Sequence, residues 1–234
     1  MERLRARCGG WHDGFMLSST GSVASAAAVV GAFAAFGCSI GQGAGEVQSD
    51  RLRMENCWDG PYNMAPDFFA GVPYRSSFQV RVQRGGDIEE ISDGVSILIH
   101  DVHEIRGDDG RPSLLNIPLD VGLPPGVTPP GVPIVPSSSP PKVSMTLYSH
   151  STCHQTNSAL YAVKGVVSFE SLFNGDPNET NAEQRLTSAV FDVVVGNPSD
   201  QPPEGGPIPQ DRLSRVTGWF KFYFERGQPG QPFP

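Results

Sequence analysis

From Phe78 to Gln83 the chain alternates strictly: Phe78, Val80 and Val82 fall on one side and Gln79, Arg81 and Gln83 on the other. A period of two is the signature of a strand, whose successive side chains leave opposite faces. Gly85 and Gly86 supply the positive φ of a tight turn, and "DIEEIS" (87–92) reads as the return strand. In "GVSILIHDVHEIR" Val95, Ile97 and Ile99 oppose Leu98, His100 and Val102, the pattern of an interior strand covered on both sides. The period recurs in Val143, Met145, Leu147, again in Tyr161, Val163, Val167, Phe169, and in the β-branched run "LTSAVFDVVVG" that stops at Gly196-Asn197-Pro198. Near the end, Phe220, Phe222 and Phe224 share one face, with Trp219, Lys221 and Tyr223 on the other. Helical content is confined to Asn178–Leu186, enough for one or two turns.

Seven or eight such strands predict an all-β domain: a single antiparallel β-sandwich with long Pro/Gly-rich loops, or, as runner-up, a barrel closed from the same strands. Gly122–Pro141 holds eight prolines in twenty residues. Proline lacks the N–H a central strand needs, so this tract reads as an extended loop or spacer that also offers a stiff surface to a partner. Asn197–Pro209 is a second loop of this kind. The organisation expected is a targeting segment (1–37), a flexible tether (38–50), one β-sandwich domain (51–228) and a disordered tail (229–234).

The amino end has a different pattern. "MERLRAR" is basic, and between Asp13 and Glu46 lie 32 residues without a charged side chain, most apolar from Val23 to Gly37. Basic, then apolar, then small is the layout of a secretory signal. With Ala35, Phe36 and Gly37 leading to Cys38, residues 1–38 resemble the signal peptides of bacterial lipoproteins. The resemblance implies that Cys38 receives a diacylglyceride and becomes the first mature residue. Ser39 behind it implies sorting to the outer membrane, so the domain is expected in the cell envelope, facing periplasm or exterior. Ordinary cleavage near Ala34 or Gly37 would instead give a secreted protein, and an uncleaved run a single-span anchor. Residues 39–50, small and aperiodic, fit a tether.

Two cysteines then remain. Cys57 and Cys153 in an oxidising compartment are expected to form a disulfide closing a long loop; two buried free thiols are the alternative.

Charge narrows the partners. Lys and Arg number 17 against 25 Asp and Glu; without the first 37 residues 14 and 23 remain. A net charge near −9 with no basic cluster repels phosphate backbones, which excludes nucleic acid as an expected partner. Partners left are the membrane through a lipid anchor, and an envelope protein or glycan.

For chemistry, "HDVHE" offers His100 and His103 and "HSTCH" offers His150 and His154, with Asp101 and Glu104 nearby. They form a three-ligand metal site only if the two segments adjoin. Otherwise they are ordinary hydrogen-bonded histidines, and no other cofactor is predicted. "NGDPNET" (174–180) is oxygen-rich but lacks the periodicity of a calcium loop. No phosphate loop, dinucleotide fingerprint or HExxH occurs. Binding is better supplied. Trp58, Tyr62, Phe68, Phe69 and Tyr74 crowd into 17 residues, and Trp58, Tyr62 and Trp219 are the candidate ligand-contacting rings; alternatively the crowd caps an open end of the core. The function expected is a non-catalytic envelope protein presenting a surface, with a carbohydrate-binding module or a metal-dependent hydrolase using a His/Asp cluster as alternatives.

Overall fold

A computed structural model of the chain describes residues 43–86, 88–124, 127, 141–154, 159–203 and 206–224. They build one ten-stranded sheet from β1 (Gly43–Met54), β2 (Trp58–Met64), β3 (Phe68–Tyr74), β4 (Ser77–Arg84), β5 (Asp93–Ile99), β6 (Leu119–Gly122), β7 (Val143–Ser149), β8 (Ala159–Ser171), β9 (Leu186–Gly196) and β10 (Ser214–Tyr223). Two short helices accompany it, α1 (Val102–Arg106) and α2 (His150–Cys153). The strand order is β2-β1-β10-β9-β8-β6-β7-β5-β4-β3, with a further pairing of β7 to β8.

This overturns the sandwich. There is a single sheet, and it curls into a half-barrel around one core. The inward rows of distant strands meet directly: Phe69 of β3 stacks on Phe222 of β10 with ring centroids 5.8 Å apart, and Phe78 of β4 lies 6.5 Å from Phe224. Phe173, just past β8, stacks on Phe224 at 4.3 Å. Alternation specifies which face of each strand is buried, not whether that face meets a second sheet or the same sheet bent round. At Gly71 of β3 the backbone runs close against the buried Phe78 ring, which would have to shift to admit a Cβ. Nor is the runner-up barrel closed: among the described residues no ladder joins the edge strands β2 and β3.

The sheet is not wholly antiparallel either. Val121 of β6 pairs with Val143 of β7 in parallel register. A parallel pair cannot be joined by a hairpin and requires a long crossover. The proline-rich tract between Gly122 and Val143 is that crossover, so its length follows from topology.

Three local expectations change with it. β1 begins at Gly43, so residues 43–50 are strand rather than tether; Val47 and Ser49 face inward between β10 and β2. The aromatic stretch after Cys57 forms β2 and β3, with Phe68 and Phe69 buried. "DIEEIS" is not the partner of β4: Glu89–Ile91 is a 3-10 turn, and β5 pairs with β4 instead. Residues 183–185 make a 3-10 turn inside the short helical stretch expected there. The targeting segment, Cys38 and the tail lie outside the described residues.

Candidate functional site

Cys57 and Cys153 are bonded, with Cα atoms 5.5 Å apart, and the bond joins the turn after β1 to the end of α2. Both sulfurs line a cleft of about 250 Å³ at this end of the half-barrel. Its wall comes from three places in the chain: Arg53 and Glu55 at the end of β1, Leu160 at the start of β8, and Asn197, Ser199, Asp200 and Arg212 after β9. Asn197 accepts from the Ser199 N–H at 3.0 Å and starts a 3-10 turn at Pro198, as a short polar side chain does before an N–H with no partner. Arg53 donates from Nη1 to the Asp211 carbonyl at 3.0 Å, and Arg212 stands 3.7 Å from Glu55. Basic, acidic and amide groups therefore share one opening.

Beneath the cleft, α2 is fastened by a buried carboxylate. Asp93 at the start of β5 has no exposed surface. Its Oδ1 accepts from the Thr152 N–H at 3.0 Å, and its Oδ2 accepts from Thr152 Oγ1 at 2.6 Å and Arg84 Nη2 at 3.1 Å. A charge can be buried in this way because every oxygen is met by a donor. Behind it, Tyr148 donates to Gln83 Oε1 at 2.5 Å, Gln83 donates to the Gly86 carbonyl, and the guanidinium of Arg81 lies 5.6 Å over the Phe68 ring. Burial raises the Tyr148 phenol far above its ordinary range and pushes Tyr62 up to about 12, so both stay protonated at neutral pH. Burial also raises the Glu89 carboxyl, opposed by the charges of Arg81 and His150.

The three candidate rings do not form one site. Tyr62 is buried within the core. Trp58, 37% exposed, meets it edge to face with centroids 6.5 Å apart and lies across from Met54, which lines the cleft. Trp219, 42% exposed, pairs with Glu46 on the outer face. Eight residues of β1 separate Glu46 from Met54, about 26 Å at the rise of a strand. Only Trp58 stands near the cleft.

The histidines disperse as well. His100 follows β5 and His150 follows β7, and the antiparallel ladder from Asp93↔Ser149 to Ile99↔Val143, about 20 Å long, puts them beyond its opposite ends. His100 shares a hydrogen bond with Ser144 Oγ at 3.2 Å, and burial lowers its pKa. His103 sits on α1, 3.6 Å from Asp108. His150 bonds through Nδ1 with the Glu89 carbonyl at 3.0 Å and stacks on Tyr148. His154 caps α2 in the left-handed conformation. Among the described residues no three His, Cys, Asp or Glu side chains are arranged to hold a metal ion, so the metal cluster expected if "HDVHE" and "HSTCH" adjoined is not assembled.

Arg53 and Arg212 line this cleft, and neither was singled out from the sequence. Arg53 and Arg212 are separated by most of the chain, and the carboxylate of Asp93, at the start of β5, shares its residue type with many solvated acids of turn-like sequence. No family model matches the chain, and the comparisons with curated proteins and with solved structures found no match.

Proposed function

We propose that this is an exported, lipid-anchored envelope protein whose β domain is a non-catalytic binding scaffold with its contact site at the disulfide end. The observation that carries this reading is the Cys57–Cys153 bond. A structural disulfide belongs to an oxidising compartment, and this one uses both cysteines beyond the lipoprotein-like segment. Cys38 is then the sulfur left for acylation, in the position that the basic, apolar and small-residue order assigns to it. Of the histidines offered as metal ligands, His100 and His150 are engaged in hydrogen bonds that hold the fold. Among the described residues no helix is long and apolar enough to cross a membrane, and the run 23–37 lies outside them.

A glycan is the ligand class this site favours. An exposed indole beside a cleft of amide, carboxylate and guanidinium groups offers a face for the apolar side of a sugar ring and hydrogen-bond partners for its hydroxyls. Two measurements test the reading. Intact mass of the membrane-fraction protein should place the amino terminus at an acylated Cys38, and Cys38→Ser should abolish the modification. Binding to an array of envelope glycans should be lost in Trp58→Ala and in Arg212→Ala with the thermal transition unchanged; recovery of the unprocessed 234-residue chain as the stable species overturns the proposal.

A further inference from the structure

The point at which β1 begins limits how the domain stands on a membrane. Gly43 is already paired, opposite Phe222 of β10. Between Cys38 and Gly43 lie four residues, Ser39 to Gln42, and five Cα steps reach at most about 18 Å. A lipid on Cys38 therefore keeps the start of β1 within about 18 Å of the bilayer surface, much closer than a tether extending to residue 50 would.

The surface beside that point has a definite chemistry. Tyr223, Lys221 and Trp219 project outward from the last half of β10, with Lys221 paired to Ala44 and Trp219 to Glu46. Trp219 and Tyr223 are each 42% exposed, and Val190 of β9, paired with Trp219, is 46% exposed. The outward face of a sheet is ordinarily polar. Large amphipathic rings and a lysine there match the interfacial layer of a bilayer, where Trp and Tyr rings settle at headgroup depth and lysine extends to the phosphates. The cleft lies at the other end. Glu46, beside Trp219, is three residues into β1, about 10 Å, whereas Met54, beside Trp58, is eleven residues in, about 35 Å.

We infer that the outer face of β10 and β9 around Trp219, Lys221 and Tyr223 is a membrane-seating surface that rests on phospholipid headgroups. The disulfide end and its cleft are thereby held away from the bilayer. This rests on acylation of Cys38, and the test separates the two. Once a leader containing Trp11 is removed, the mature chain holds two tryptophans, Trp58 and Trp219. The full chain, processed in a bacterial host, is reconstituted on phosphatidylethanolamine–phosphatidylglycerol vesicles carrying a nitroxide-headgroup lipid. Trp58→Phe then reports Trp219 alone, and Trp219→Phe reports Trp58 alone. Quenching several-fold stronger for Trp219 than for Trp58 is expected. Inserting about twelve Gly/Ser residues before Gly43, which extends the mean reach to roughly 20 Å or more, should weaken Trp219 quenching. Acylated protein with equal or reversed quenching, or with quenching unaffected by the insertion, overturns the seating surface while leaving the anchor intact. Absence of acyl mass at Cys38 removes the anchor and the orientation together.

Discussion

Replacing Cys57 and Cys153 by serine together removes a cross-link that spans 96 positions of sequence. In the chain-entropy treatment, freeing a loop of that size returns about 16 cal/mol/K to the unfolded ensemble, about 4–5 kcal/mol at 25 °C. Local packing adds to this, because Cys153 is buried with its sulfur 3.6 Å from Met54 Sδ, and a serine hydroxyl there faces a core that offers it no good acceptor. For a domain of this size each kcal/mol moves the thermal midpoint by about 2–4 °C, so a fall of roughly 10–20 °C is expected. Urea denaturation of oxidised protein, reduced protein and the double variant is the assay. The released chain unfolds to a more expanded state, so the m-value should rise as the midpoint falls. A loss under about 1 kcal/mol with an unchanged m-value would refute the reasoning, since it would mean that the β1–β2 turn and α2 are held by their remaining contacts without the bond. Thiol labelling of the native oxidised protein supplies the control: neither position should react.

Asp93→Ala strands the Thr152 N–H and frees α2, and should cost about 2–4 kcal/mol in urea unfolding, with Asp93→Asn retaining part of the loss because an amide oxygen still accepts. Gly165 has φ of +118° at a β8 bulge, and a Cβ there would stand 2.3 Å from the Asp192 carbonyl oxygen; Gly165→Ala should therefore cost at least about 2 kcal/mol, against less than about 0.5 for Gly60→Ala, which has open space around it. Burial holds the His100 pKa below its ordinary 6.5, so the stability it contributes is present above about pH 6.5 and is lost as pH falls through the lower folded value; His100→Gln should flatten the decline of the urea midpoint between pH 7.5 and 5. Glu89 runs the other way: its carboxyl pKa is raised, so its contribution is complete below about pH 4.5 and lost as pH rises, and Glu89→Gln should have the higher urea midpoint at pH 7 and converge with the parent in acid.

Much of the sheet was legible from residues a few places apart. Strands β4, β5, β7, β8, β9 and β10 announce themselves because each buries one row of alternate side chains, and that periodicity is local. The Cys57–Cys153 bond was legible for a related reason: once a lipoprotein-like segment accounts for Cys8 and Cys38, two sulfurs are left to pair. The strands that were missed hide their period. β1 begins Gly-Ala-Gly and breaks its register between Ser49 and Leu52, while β2 and β3 carry Pro61 and Pro73, which edge strands tolerate because one row of backbone groups is unpaired. Only the tertiary structure decided that the inward rows curl around a single core. The contacts that determine this, Phe69 on Phe222 and Phe173 on Phe224, join residues far apart in sequence, and each of those side chains would be equally apolar facing a second sheet. Only the register of β5 on β7 separates His100 from His150, and only the fold gathers Arg53, Asn197 and Arg212 around one cleft. Burial of a face is written in neighbouring residues; the identity of what it faces depends on how distant strands pair.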